Sequence, residues 1–494
     1  MSVVAPRPHM MRRFLRDQGG FVLVFAAVCI PALIGFLGLA IDGARLMTLD
    51  TQLAAIADAA ALAAASRLDR TDSAITDARE AADALSNGAA FSRRNRDTPR
   101  LSLRFAESLA DLRANAGYSL PDAEGARAVY VEVTTGAYTL TASLLQFVGT
   151  PIRRTAVAEA QYYACDVTPL LLCQADPERF AATARPGRQY LLRMDGNTAD
   201  GSVVLLDKPD DIGSRTTLRN LASDAPAFCY GDNVALRRTI PPRDFDDAVN
   251  IRFDRYFNGV AAVASDLAAF PPAPNVIQGR HLNACSSPPA GGDLNPPYHL
   301  PRDVAYRIVR PSSTYDQGLG DWALTAAYGG LGEITVTRGI DEYILWNHSD
   351  KDRGFQDSLR EAATRYDIYL KELGLTPATE GQPVVTRGNA LMGKTMPTGG
   401  PLTGSLAFVR ESPIPICYPG TRPATDARRR ILYLSVADCR DPTADAARLS
   451  RHVAKVFLTE PSSGGGLLVE LVALLTPRHD DGKLRPVVQL VEAR

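Results

Sequence analysis

The chain has no C-x-x-C pair, no H-E-x-x-H run and no G-x-S-x-G turn in its 494 residues. The first absence removes the usual zinc and dithiol spacings. The second removes the helical zinc-protease pair, and the third the nucleophile elbow of an α/β-hydrolase. Histidine is scarce, six in all and scattered. An excess of either charge is missing too: Lys and Arg number 54, Asp and Glu 55, for a formal net charge of -1. No overall positive field is available to hold a nucleic-acid backbone. Calcium loops are incomplete. Asp195-Gly-Asn197 and Asp350-Lys-Asp352-Arg-Gly354 lack the oxygen ligand at position five, the glycine at six and the closing glutamate, so both read as turns. His348, beside Trp346 and Asp350, reads as a surface or structural histidine rather than a general base. There is no internal repeat. These absences leave no catalytic residue, no cofactor and no metal site to expect, and the chain reads as a non-enzyme.

Charge is also absent from Phe21 to Ile41, "FVLVFAAVCIPALIGFLGLAI". At 1.5 Å per residue this run reaches about 30 Å, the thickness of a bilayer's hydrocarbon core. Pro31 would break a soluble helix, but a transmembrane helix tolerates it with local adjustment. Arg7, Arg12, Arg13 and Arg16 precede the run, opposed only by Asp17. The positive-inside rule then makes residues 1–20 a cytoplasmic basic tail, residues 21–41 a single transmembrane helix, and the rest exported. The run is long for the apolar part of a cleaved signal peptide and no A-x-A site closes it, so it reads as a retained anchor.

The seven cysteines suit that placement. Cys29 lies in the anchor, leaving Cys165, Cys173, Cys229, Cys285, Cys417 and Cys439, an even number as an oxidising compartment favours. Order along the chain suggests the pairs Cys165–Cys173, Cys229–Cys285 and Cys417–Cys439. Beyond the anchor, residues 42–90 read as an alanine-rich helical stalk. Leu46, Leu49, Leu53, Ile56, Ala60 and Ala63 alternate spacings of three and four, one apolar stripe on a helix. Such a slim stripe can lie on its own domain or against a second helix, in a homo- or hetero-oligomer.

The basic tail, the span and the helix "QLAAIADAAALAAAS" together resemble the N-terminal segment of TadE/TadG-like proteins of the tight-adherence (Flp) pilus assembly system. The matching pieces are the Arg–Gly approach to the membrane, the mid-span proline, Ile41-Asp42-Gly43 at the exit, and "ADAAALAAA". Downstream, "CDVTPLLLC", "NIRFDRY" and "RRRILYLSVADC" look like segments of the longer TadG-like members. The resemblance implies a bacterial inner-membrane protein with its bulk in the periplasm, whose partners are other pilus-assembly proteins. Two features depart from the family. Processed pseudopilins carry a glutamate five positions after the cleaved glycine, and here that position is Phe25 or Val24. Some TadG-like proteins carry a von Willebrand A domain with a D-x-S-x-S cation loop. The nearest analogue, Asp166-Val-Thr168-Pro-Leu170, replaces the last hydroxyl by leucine, and hard cations need oxygen ligands.

The expected fold class is α+β. Residues 91–164 read as a small α/β, pilin-like unit, with strands in "ARAVYVEVTT" and "IRRTAVAEAQYYA" and a short helix in "YTLTASLLQFVG". Residues 165–494 read as a larger strand-rich, disulfide-containing domain, with long loops near 270–301 and 376–425, and a degenerate von Willebrand A-like sheet as one form it could take. Within it "RQYLLRMDGNTADGSVVLLD" suggests a hairpin turning at Asp195-Gly196. Phe355 to Leu373 suggests one amphipathic helix, and "ILYLSVAD", "VAKVFLTEP" and "LLVELVALL" suggest buried strands.

One stretch satisfies a nucleotide-binding pattern. Gly388-Asn-Ala-Leu-Met-Gly393-Lys394-Thr395 fits G-x-x-x-x-G-K-[ST], and the strand ending at Asp438 would suit a magnesium-holding carboxylate. A phosphate loop needs a helix to follow it, so that backbone N–H groups and the helix dipole face the phosphates. Pro397 biases Met396 away from helix, and Gly399-Gly400-Pro401 ends any that forms. The surroundings contradict the pattern, and an ATPase is rejected.

Overall fold

The computed structural model describes residues 19–88, 99–114, 123, 125–135, 151–194, 201–207, 214–223, 229–231, 233–237, 241–256, 266–274, 280–281, 320–321, 341, 344, 348, 351–382, 408–409, 418–420, 426–439, 446–462, 464–477 and 482–491. The chain divides into two units, one of residues 1–161 with 487–494 and one of residues 162–486.

The first unit begins with helix α1, Gly19–Ala65, which runs unbroken through Pro31. It ends in a tight turn. Asp69 accepts from the backbone N–H and the hydroxyl of Thr71, while Arg70 takes the left-handed conformation at φ 60°. A short carboxylate that bonds its own backbone two residues on diverts the chain from helix. Helix α2, Ala74–Gly88, follows. The stalk expected over 42–90 is thus two helices joined by a turn, with Ala74, Ala78 and Ala82 buried at a spacing of four.

Strand β1 (Arg100–Ala106), short helix α3 (Leu109–Ala114), β2 (Ala128–Thr134) and β3 (Arg153–Cys165) come next. The sheet order is β1-β2-β3 followed by the last strand of the chain, Leu484–Val491, labelled β15. β1–β2 and β2–β3 are antiparallel. Side-chain alternation puts Val129, Val131 and Val133 of β2 and Ala156, Ala158 and Ala160 of β3 into one core with Leu53, Ala57 and Ala61 of α1. The segment "YTLTASLLQFVG" lies outside the described residues.

The second unit contains β4 (Leu170–Cys173), α4 (Pro177–Thr183), β5 (Arg188–Arg193), β6 (Val203–Leu206), α5 (Ser214–Ala222), β7 (Cys229–Tyr230), β8 (Asn233–Arg237) and α6 (Pro242–Asn250). Then come β9 (Arg280–His281), β10 (Gly320–Asp321), α7 (Arg353–Arg360), α8 (Arg365–Glu372), β11 (Phe408–Val409), β12 (Ile431–Ala437), β13 (Ala446–Leu458) and β14 (Gly466–Leu475). β9 and β11 pair with each other, and β7 pairs with the end of β3. The main sheet runs β10-β5-β14-β13-β12-β4-β6-β8. β13 is long and shifts register midway, so its first residues also pair with β8 and close one end of the sheet on itself. The interior of that closed end holds Val167, Leu171, Val204, Val234 and Val453. The other face carries the larger core, under α4, α5 and α6.

The structure corrects three expectations. β5 and β6 do not form a hairpin about Asp195-Gly196. β5 pairs with β14, and β6 with β4 and β8. The helix expected over Phe355–Leu373 is two, because Thr364 caps a new start by accepting from Asp367 N–H. The sheet is also not the central parallel sheet of a von Willebrand A unit. Among the ladders described in the main sheet only β12–β4 is parallel.

Candidate functional site: the N-terminal helix and its seat

Helix α1 has two halves of opposite fate. From Val24 to Met47 its large apolar side chains are exposed, Leu33 at 60%, Phe36 at 74% and Met47 at 74%. The helix Val24–Ala65 contains a window of mean hydropathy 2.6, none of it buried within the chain. A long apolar helix in the core of a soluble protein would be covered by its own chain. Leaving one Leu or Phe in water forfeits about 1.5–3 kcal/mol relative to burial. A row of them requires a non-aqueous neighbour, and Pro31 inside the helix is of the kind that lipid and partner helices tolerate.

From Leu49 onward the same helix is seated. Leu49, Leu53, Ala57, Ala60, Ala61 and Ala64 are buried against α2 and the sheet. The stripe expected from sequence is buried at Leu49, Leu53 and Ala60, and Ile56 packs against the same core from its edge. Leu46 is 42% exposed, and Ile56 and Ala63 are half-buried. The reason is periodicity. Strict alternation of three and four repeats every 3.5 residues, whereas a straight helix turns every 3.6 and drifts about 20° per heptad. The buried line therefore moves on to Ala57 and Ala64. Alanine at these positions lets the helix backbone approach the sheet closely, and the stripe is consumed inside its own unit. Arg154 at the start of β3 pairs with Asp50 on the helix.

In the second unit the cysteines form Cys165–Cys229 and Cys173–Cys439, correcting the pairing by chain order. Strand register explains it. Cys165 lies opposite Cys229 across β3 and β7. Cys173 ends β4 beside Ala437 of β12, two residues before Cys439. Cys285 and Cys417 lie outside the described residues, as do Gly388–Thr395 and Asp195–Asn197. Asp352 N-caps α7 through Phe355 N–H. Asp166 accepts from Arg485, and Thr168 Oγ1 from Tyr433 N–H, so the two oxygen-bearing side chains of the cation-loop analogue are engaged within the fold. Among the described residues no cluster of three or more His, Cys, Asp or Glu could hold a metal.

Sequence reasoning missed the buried polar groups that hold this unit. His348 is fully buried and bonds Glu372 at 2.8 Å. Arg430 lies 4.5 Å over the ring of Phe457, with Tyr369 at 4.9 Å and Phe253 at 5.0 Å, and donates to the carbonyls of Leu458 and Thr459. Glu470 of β14, wholly buried, accepts from the first two N–H groups of α8, Arg365 and Tyr366, each at 3.0 Å. Burial pushes its carboxyl up to about 7, although those two backbone bonds and the Arg365 guanidinium pull the other way. Burial likewise lowers His452, against the pull of its bond to Glu178. Glu470 and His452 tie strands to helices, while the His348–Glu372 bond joins two helical residues.

Residues 19–67 match the family model described as putative Flp pilus-assembly TadE/G-like. The match covers α1 and the two residues after it, both the bare half and the seated half. No curated protein and no solved structure matches the chain.

Proposed function

We propose that this chain is a single-pass, non-enzymatic structural component of Flp-type pilus assembly. It is held in the bacterial inner membrane by the first half of α1, with its N-terminus cytoplasmic and its two units in the periplasm, where they contact other pilus-assembly proteins. The observation that carries the reading is a coincidence of two independent facts. The family match at residues 19–67 falls on a helix that, among the described residues, is the one long and apolar enough to cross a membrane, and its apolar half is exposed there. The basic residues before Phe21, including Arg12, Arg13 and Arg16, supply the orientation. The disulfides support export, because they persist in an oxidising compartment.

Deleting the gene is expected to reduce surface pili while leaving general secretion intact; an unchanged pilus count would refute the role in assembly. The topology has its own test. In spheroplasts, added protease should digest the second unit, and non-reducing gels should show its disulfides. A protected, fully reduced second unit would overturn the orientation. Leu33→Arg, at mid-span, should move the protein from the membrane to the soluble or degraded fraction, since a charge there costs about 2.5–3.5 kcal/mol on insertion scales.

A further inference from the structure

The alanine stripe is buried in its own unit, and a second surface open to association is marked by the exposed apolar side chains outside α1. Among the described residues these are Leu85, Val487 and Leu490. Two of the three lie on β15, the outermost strand of the first unit's sheet. With β3 on one side and no described strand on the other, β15 presents an open edge from Val487 to Val491. An open, apolar sheet edge is a template for another strand unless charge, a bulge or a cover blocks it. Here Arg485 and Pro486 stand just before the stretch, and Val487 to Val491 itself carries neither charge nor proline.

The sequence of that edge is self-complementary. Pro486-Val-Val-Gln-Leu-Val491 carries no charge, with Arg485 before it and Glu492 after it. Laid antiparallel on a second copy about Gln489, Val487 faces Val491, Val488 faces Leu490, and Gln489 faces its own mate. Apolar residues meet apolar residues, and two amides meet at the axis. No like charges stand opposite, which cross-strand pairing penalises. We infer that two copies of this chain pair isologously through β15, joining their first-unit sheets across a two-fold axis at Gln489. The contact is small and weak in free solution. It gains from membrane confinement, which raises the effective concentration of neighbours, and to that extent it rests on the anchored reading.

The test is cross-linking of the full chain in membranes. Gln489→Cys brings two thiols opposite each other at about 4.5–5.5 Å between Cα atoms, within disulfide range. Mild oxidation should give a dimer band at least fivefold above that of Ser102→Cys, on the opposite sheet edge β1 (Arg100–Ala106), and above wild type. Adding Leu490→Lys, at a site 44% exposed in the single chain, should cut the Gln489→Cys dimer severalfold without loss of protein. Equal cross-linking of the Ser102→Cys and Gln489→Cys variants, or a yield indifferent to Leu490→Lys, would overturn the pairing. Failure of the anchored reading shows separately, as protein in the soluble fraction before any oxidant is added.

Discussion

In the first unit, eleven of the eighteen buried residues of the described core are alanine; in the largest core of the second, four of twenty-seven are. The two are built for different purposes. Alanine brings a helix backbone close to a sheet, but each one removes little apolar surface from water. The first unit therefore depends on a few larger side chains set among the alanines, chiefly Leu49, Leu53, Leu68, Phe105 and the valines of β2. It contains no cysteine beyond Cys29 of the span. The second unit buries Phe245, Phe253, Leu192 and Leu432 and adds two disulfides and an arginine boxed by aromatic rings. The unit that carries the long apolar helix is slim and regular, and the other adds covalent staples to a bulkier core.

The sharpest way to break this comparison is to remove a staple. Cys173 and Cys439 are 266 residues apart in sequence, so their bond restricts a large part of the unfolded chain. The double change Cys173→Ser, Cys439→Ser should cost about 4 kcal/mol. Hydrogen-exchange mass spectrometry reads the units separately, and protection should fall in residues 162–486 while β1 and β2 keep theirs. Next in size is the reverse experiment. Leu53→Ala, at a site with no exposure, should cost about 3 kcal/mol and lower protection in the first unit alone. Ala61→Leu should cost about 2 kcal/mol by overpacking the same seat. Equal losses in both units from either change would mean that they unfold as one body.

The units also separate by pH. Glu470 titrates near 7 when folded and near 4.5 when unfolded, so the folded state holds its proton more tightly. Its contribution is complete below pH 4.5 and is lost as pH rises to about 7, on the order of 3 kcal/mol. Denaturant melts of the second unit should show this decline. Glu470→Gln, which stays neutral, should flatten it. A slope unchanged by that substitution would assign the pH dependence elsewhere.

How much of this is legible in the sequence follows the range of the interaction. The uncharged run Phe21–Ile41 and the alanine helix are local patterns, and both appear in α1. The strands at Val129, Val157, Leu434 and Val469 also follow from alternation and β-branching, which are local too. Partner choice among strands is not local. Asp195-Gly196 has the residues of a hairpin turn, but β14, some 270 residues later, takes β5 instead. Disulfide pairing by chain order fails for the same reason, since register brings Cys173 to Cys439. The break at Thr364 has a local signal, Thr followed three residues later by Asp. Glu470, which also holds that helix start, lies a hundred residues away and leaves no trace near it. The buried line has moved to Ala64 where the stripe has Ala63, because a 3.5 repeat does not describe a straight helix.

The smallest expected effect bears on the bare half of α1, where the comparison extends within a single helix. Phe36 is 74% exposed and touches no core, so Phe36→Ala should change the stability of either unit by less than about 0.5 kcal/mol. Loss of a buried phenylalanine costs about 3–5 kcal/mol, and that larger figure is what the substitution would show if α1 were covered by this chain's own residues. The span remains uncharged from Phe21 to Ile41 after the change, so membrane retention should also hold. A phenotype confined to pilus assembly, with both units stable and the protein still in the membrane, would mark Phe36 as a contact with a partner helix inside the bilayer. No phenotype at all would leave lipid as its neighbour. Either result is consistent with a bare half that lacks a protein seat in this chain, whereas a drop in first-unit protection is not.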